Sequence, residues 1–382
     1  MTSFKGSCIF ARYAWVNEKV EENVLISIDG YGAIEDIKIG YELDRDLSSV
    51  KILSDEVLLP GFVNSHSHAF HRHLRGRSEI GRGTAETFWK WRDNMYGLVD
   101  GITKDRIYKY CLSTFKEMVK AGITTVGEFH YVHHGEGRFD LDTEVIRAAK
   151  DAGIRVVLLQ TLYERAGFIS PPLHPVQKRF TSDYDEFIKN LEILRKETSD
   201  TVTIGVAAHS TRAVDFEDIS KLHKYALSQN MPFHIHLEEQ PKEIQDCQEA
   251  MKTTPSDALL SLLDIGPNFT AVHSTYTPQT NMKTFAKKQA NVSLCPCTEG
   301  YLGDGIPHLP EDLGISFGTD CNNRICLVEE MRWACYSQQM LHNSRSIANL
   351  TAEKLLKCGT AGGARALGLQ STVGTFEVGK KL

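Results

Sequence analysis

With 382 residues, 41% of them hydrophobic and 24% charged, the chain has the make-up of an ordinary globular protein and is too long for one small module. A net charge of −6 argues against a nucleic-acid protein, which needs a basic face, and no apolar run is long enough to span a bilayer. Nine cysteines show no framework spacing and the first residues lack the apolar core of a signal peptide, so free thiols in a reducing cytoplasm are expected.

In residues 1–57, the stretch ENVLISIDGYGAIEDIKIG has β-branched runs broken by Asp-Gly and Tyr-Gly. It reads as small antiparallel strands with tight turns. From Leu58 the rhythm changes. Eight strand candidates follow in order: LLPGFVNSHSH, TTVGEFHYVHH, RVVLLQTLYE, TIGVAAHSTR, PFHIHLEE, TAVHST, NVSLCPCTE and ISFGTD. Amphipathic stretches lie between them. IYKYCLSTFKEMVKAG spaces Ile107, Cys111, Phe115 and Met118 by three or four and closes on Gly122, a helix stop. Eight βα units in sequence favour an α/β fold of the (β/α)8, TIM-like kind over an open sheet, with the barrel over 58–366.

Nearly every strand candidate ends in His, Glu or Asp: His66 and His68, Glu128 and His130, Glu164, His209, His236 and Glu239, His273, Glu299 and Asp320. The C-terminal strand ends of such a barrel build its active site. His66 and His68 are two apart, so on a strand both imidazoles face one side and can share a cation. A lone H-x-H is weak, because core and surface histidines are commoner. Here it is joined by HIHLEE (His234 to Glu239), by Val272-His273 and by Gly318-Thr319-Asp320. Imidazoles and one carboxylate, with a position left for water, suit a catalytic zinc better than a structural one. His73 reads as an ordinary polar residue.

This order of strand-end residues resembles the amidohydrolase superfamily of metal-dependent hydrolases. With no lysine evident on the fourth strand and with His236-x-x-Glu239 present, it is similar to the mononuclear deaminase branch. The resemblance implies one divalent ion, most often Zn2+, on His66, His68, His236 and Asp320, with Glu239, His273 and Asp320 catalytic. His234 is left to a supporting place beside the ligands. Across nearly the whole chain, NSHSHAFHRHLRG, FWKWRDNMY, AGITTVGEFHYVHH, AAHSTRAV, HIHLEEQPKE and CPCTEGYLGDGI resemble the formimidoylglutamate deiminases of histidine breakdown. These hydrolyse N-formimidoyl-L-glutamate to N-formyl-L-glutamate and ammonia.

That likeness implies a small dicarboxylate substrate bound by Arg92 and Arg212, with help from Tyr131, His209 and His71, and a cytoplasmic homodimer. Read alone, Arg92 could equally be a helix-surface ion-pair residue and Arg212 a solvated loop charge. His71 stands where the family pattern has glutamine, and Cys321-Asn322-Asn323 departs from it too. Family members also continue beyond a point like Leu382, so residues 367–382 read as the start of strands that complete a β-sandwich with residues 1–57. Rival readings are imidazolonepropionase or an aromatic-base deaminase, which need a flat slot. An inactive scaffold or binding protein on the same barrel would be expected to lose ligands.

Overall fold

The computed structural model describes residues 6–43, 50–77, 87–169 and 171–382, and only the backbone of residues 87–89. Two sheets organise it. The smaller has strands β1 (Cys8–Val16), β2 (Lys19–Ile28), β3 (Ile34–Lys38) and β4 (Val50–Leu58) in the order β3-β2-β1-β4. Asn17 and Glu18 both take positive φ, 54° and 62°, which makes the two-residue hairpin turn that suits the strand twist. The antiparallel pairing expected in residues 22–40 is present as β2 and β3, whereas β4 runs parallel to β1. Ile9, Val24, Ile26 and Ile34 form its core with Phe376 from the far end of the chain, and the Ile34 amide donates to Lys380.

The larger sheet is the barrel: β5 (Phe62–Ser67), β6 (Ile123–His130), β7 (Arg155–Leu162), β8 (Val202–Ser210), β9 (Phe233–Leu237), β10 (Phe269–His273), β11 (Asn291–Leu294) and β12 (Gly314–Phe317). Each strand pairs in parallel with the next. Closure comes just beyond β12. Thr319 and Asp320 donate their amides to the His66 carbonyl at 3.0 and 3.1 Å, and His68 donates to the Asp320 carbonyl at 2.9 Å. Gly318 permits this approach, since a Cβ there would stand 2.7 Å from His66 Cβ and 2.8 Å from its carbonyl oxygen.

The helix Lys104–Lys120 is the one the spacing predicts. It buries Ile107, Cys111, Phe115 and Met118, and its N-cap Thr103 accepts the Arg106 amide. One strand candidate is corrected. NVSLCPCTE is strand only to Leu294, and Pro296 starts the helix Pro296–Leu302, which carries Glu299. Proline is tolerated in a helix's first turn but ends a central strand.

Candidate metal centre and substrate pocket

Three strand ends, those of β5, β9 and β12, bring His66, His68, His236 and Asp320 together. Their donor atoms all lie within 4.8 Å of one another, and all four residues are buried. Nε2 of His66 and of His68 each stand 3.3 Å from Asp320 Oδ1. Nε2 of His236 stands 3.3 Å from Nε2 of both His68 and His66. Four ligands about 2.0–2.1 Å from one tetrahedral ion would be about 3.3 Å apart.

The other ring nitrogens decide what fills that space. His68 Nδ1 donates to the Phe129 carbonyl at 2.8 Å, and His236 Nδ1 donates to the His209 carbonyl at 2.8 Å. Both Nε2 atoms therefore carry lone pairs that face each other with no proton between them. Burial holds His66 at about 3 and lowers His68 and His236 as well, so the three rings stay neutral. Burial works to raise Asp320, but His66, His273 and His68 outweigh it and keep the group a carboxylate. Neutral imidazoles and a carboxylate converging on one point fit a divalent cation.

A pocket with ≈ 600 Å³ of empty space, its mouth included, opens on this cluster. His68, His236, Asp320, Glu239 and His273 line its floor. Glu238 takes a left-handed φ of 49° and accepts the Ser256 amide, which turns the following Glu239 into the pocket. Burial raises the Glu239 carboxyl above its usual range, against the pull of His273 and Arg212. His273 Nε2 lies 3.7 Å from Glu239 Oε1. Burial would lower His273, but Glu239, Glu299 and Asp320 push it up to about 10.

The pocket wall holds all five residues picked for substrate: His71, Arg92, Tyr131, His209 and Arg212. His71 Nε2 bonds Tyr131 Oη at 2.8 Å, and its Nδ1 has no partner among the described residues. Arg92, on the helix Thr87–Asp100, lies over the Tyr96 ring at 5.6 Å. Arg212 follows β8, in a loop gripped by Arg165, which donates to the carbonyls of Thr211, Arg212 and Val214.

Other strand-end residues do not join the site. His130, at the end of β6, is taken up by Asp142, which it bonds at 3.0 Å. Glu164 accepts the Asp215 amide at the surface. His234 is corrected too: it points into the barrel one layer below His236, and its Nε2 bonds the Ala366 carbonyl at 2.8 Å rather than any ligand. His73 stacks on Tyr110 at 3.9 Å, outside the pocket.

Sequence reasoning missed two groups. Asn322, left without a role, donates to Ser67 Oγ and to the carbonyls of His68 and Asp320, and so fixes both ends of the ligand set. It also sits at φ 55°, a conformation asparagine accepts readily. Trp91, Tyr96, Tyr163 and Phe180 complete the wall. The first two sit in the FWKWRDNMY motif, a signal that was present but credited only to Arg92.

A parallel barrel whose strand ends gather three histidines and an aspartate able to hold a cation has the arrangement of a metal-dependent hydrolase. Residues 57–381 match the Amidohydrolase family, and the chain belongs to it as an enzyme acting on C–N bonds. Among its relatives, a formimidoylglutamate deiminase of Pseudomonas aeruginosa is 33% identical over 98% of this chain and 84% of its own. A 5'-deoxyadenosine deaminase of Methanobrevibacter smithii is 26% identical over 90% of this chain and 75% of its own. The crystal structure of an amidohydrolase from Brucella melitensis superposes with a TM-score of 0.90 at 30% identity, covering 98% of this chain and 85% of that one.

Proposed function

We propose that the chain hydrolyses N-formimidoyl-L-glutamate to N-formyl-L-glutamate and ammonia, a step of histidine breakdown. One observation carries this: Arg92 and Arg212 line the same pocket as the cation ligands. Arg212 forms no ion pair within 4 Å among the described residues, so its guanidinium is available for a substrate carboxylate. The likeness to the Pseudomonas deiminase supports the same reading.

The donor set suits zinc, which when bound would acidify water towards a pKa of about 7. The chain's own residues then divide the work. Asp320 accepts a proton from the attacking water. His273 hydrogen-bonds the attacking oxygen as the tetrahedral centre develops. Glu239, kept protonatable by burial, passes a proton to the departing nitrogen, which leaves as ammonia. Arg92 and Arg212 hold the two carboxylates, with His71, Tyr131 and His209 as further hydrogen-bonding groups. The water oxygen ends in the formyl group, so the reaction consumes one water per ammonia.

We further propose a barrel domain over 58–366 flanked by a small β-domain drawn from 1–57 and 367–382. Nine free cysteines support a reducing, cytoplasmic setting. No described helix is long and apolar enough to cross a membrane. A homodimer is the arrangement the deiminase likeness favours.

A second reading has its own support. The wall of Trp91, Tyr96, Tyr131, Tyr163 and Phe180 offers flat faces to an aromatic base. A substrate panel decides between them. N-formimidoyl-L-glutamate is expected to exceed 5'-deoxyadenosine and an imidazolone propionate by at least about 10³-fold in kcat/KM, since only it satisfies both guanidiniums. A preference for the nucleoside would overturn the proposal.

A further inference from the structure

We infer that Glu299 is the positioning residue for His273: its buried carboxylate accepts the Nδ1–H of that ring and turns the Nε2 edge to the reacting groups. This rests on the proposed role of His273 in deimination.

His273 ends β10 at a left-handed φ of 68°, followed by Ser274 at 54°. Histidine seldom adopts this backbone, and surrounding contacts must hold it. The ring stacks on His236 with centroids 5.6 Å apart and planes within 13°. Stacking fixes the plane of the ring but not which edge faces the pocket. Glu299 Oε1, 3.3 Å from Nδ1, fixes the edge. An acceptor on Nδ1 leaves Nε2 for Glu239, 3.7 Å away on the pocket side.

Glu299 is itself held rigidly. It is 3% exposed. Its Oε1 also accepts the Cys295 amide at 2.9 Å, its own amide donates to the Cys295 carbonyl, and its carbonyl accepts the Asp304 amide. A glutamate held at its backbone amide, its carbonyl and its carboxylate can transmit position to an imidazole as ligand-orienting carboxylates do elsewhere.

His273, Cys295 and Glu299 also converge within 4.8 Å, which raises the reading of a second cation site. The hydrogen bonds favour positioning instead. Glu299 Oε1 already holds two N–H groups. The Cys295 thiol, pushed well above its usual range by burial and the nearby carboxylates, stays protonated and is a poor ligand.

The test uses the zinc-loaded full chain and the variants Glu299→Gln and Glu299→Met. Glutamine keeps an acceptor oxygen, whereas methionine keeps the length and loses it. The methionine variant should lower kcat about 10–100-fold, with KM and bound metal little changed, and glutamine should restore most of the loss. Proton–nitrogen spectra of the histidine side chains, with His273 assigned through His273→Asn, give a reading independent of substrate. A hydrogen-bonded Nδ1–H is expected in the native chain and Glu299→Gln and should vanish in Glu299→Met. Absence of that signal from the native chain overturns the inference even if no variant folds. So does a folded methionine variant with native kcat, or a second metal ion lost on substituting Glu299. A native chain inactive on N-formimidoyl-L-glutamate, but with the Nδ1–H behaving as described, would sink the proposed substrate and leave the positioning intact.

Discussion

Two buried clusters in this barrel have nearly the same composition and opposite chemistry. His68, His236 and Asp320 aim lone pairs at one another beside His66, because the protons of His68 and His236 are taken up by backbone carbonyls. His130, His133 and Asp142 aim donors at acceptors. Asp142 Oδ1 takes His130 at 3.0 Å and His133 at 2.9 Å, while Oδ2 takes Gln160 and Asn190. His133 spends its other nitrogen on the Thr161 carbonyl. The second cluster is complete as it stands, and burial of Asp142 is outweighed by its histidines, which hold it a carboxylate. The first leaves lone pairs converging on one point, where a cation would satisfy them. Counting histidines and carboxylates would not separate them; the direction of each proton does.

The largest effect expected from that contrast is on the first cluster. Chelation, or His236→Ala, should remove the ion and reduce turnover to background, read by metal analysis beside an ammonia assay. Next comes Glu239→Gln, which should cut kcat about 10²–10⁴-fold while bound metal stays constant. Near-normal turnover would break the assignment of Glu239. Substituting Asp142 by Ala should do the reverse of both. It strands His130 and His133 and should cost about 3–5 kcal/mol of unfolding free energy in denaturant, with metal content unchanged. Arg212→Met should raise KM about 10–100-fold, the loss of a charge-assisted pair. An unchanged KM would return Arg212 to the role of a solvated loop charge.

The smallest effect sharpens the same lesson far from the pocket. His223 is buried against Phe233, and burial lowers it from 6.5 to about 4. Above pH 6.5 neither state is charged and the residue is silent. As pH falls from there towards 4, the unfolded chain takes up a proton that the folded chain refuses. Stability should therefore drop about tenfold in the folding equilibrium per pH unit, and His223→Leu should remove that one-proton slope from denaturant midpoints measured across the range.

Much of this site was legible from local periodicity. His66, on β5, and His68, the residue just past its end, face one side because extended residues two apart share a face. His236, His273 and Asp320 follow because barrel strands end at one rim. What stayed hidden depends on contacts far apart in sequence. The role of Asn322 exists only once residues some 255 positions apart meet at barrel closure. The same alternation that found His68 misled for His234, because two residues along a strand is also a full layer deeper. Glu299 counted as a strand end, yet Pro296 had already started a helix.

The most direct test titrates metal-free protein with zinc while following bound ion and the ammonia and N-formylglutamate released from N-formimidoyl-L-glutamate. Activity should rise linearly and saturate at one ion per chain, with the two products in equal amounts. Saturation only at two ions, or one tightly bound ion with no products, would contradict the account.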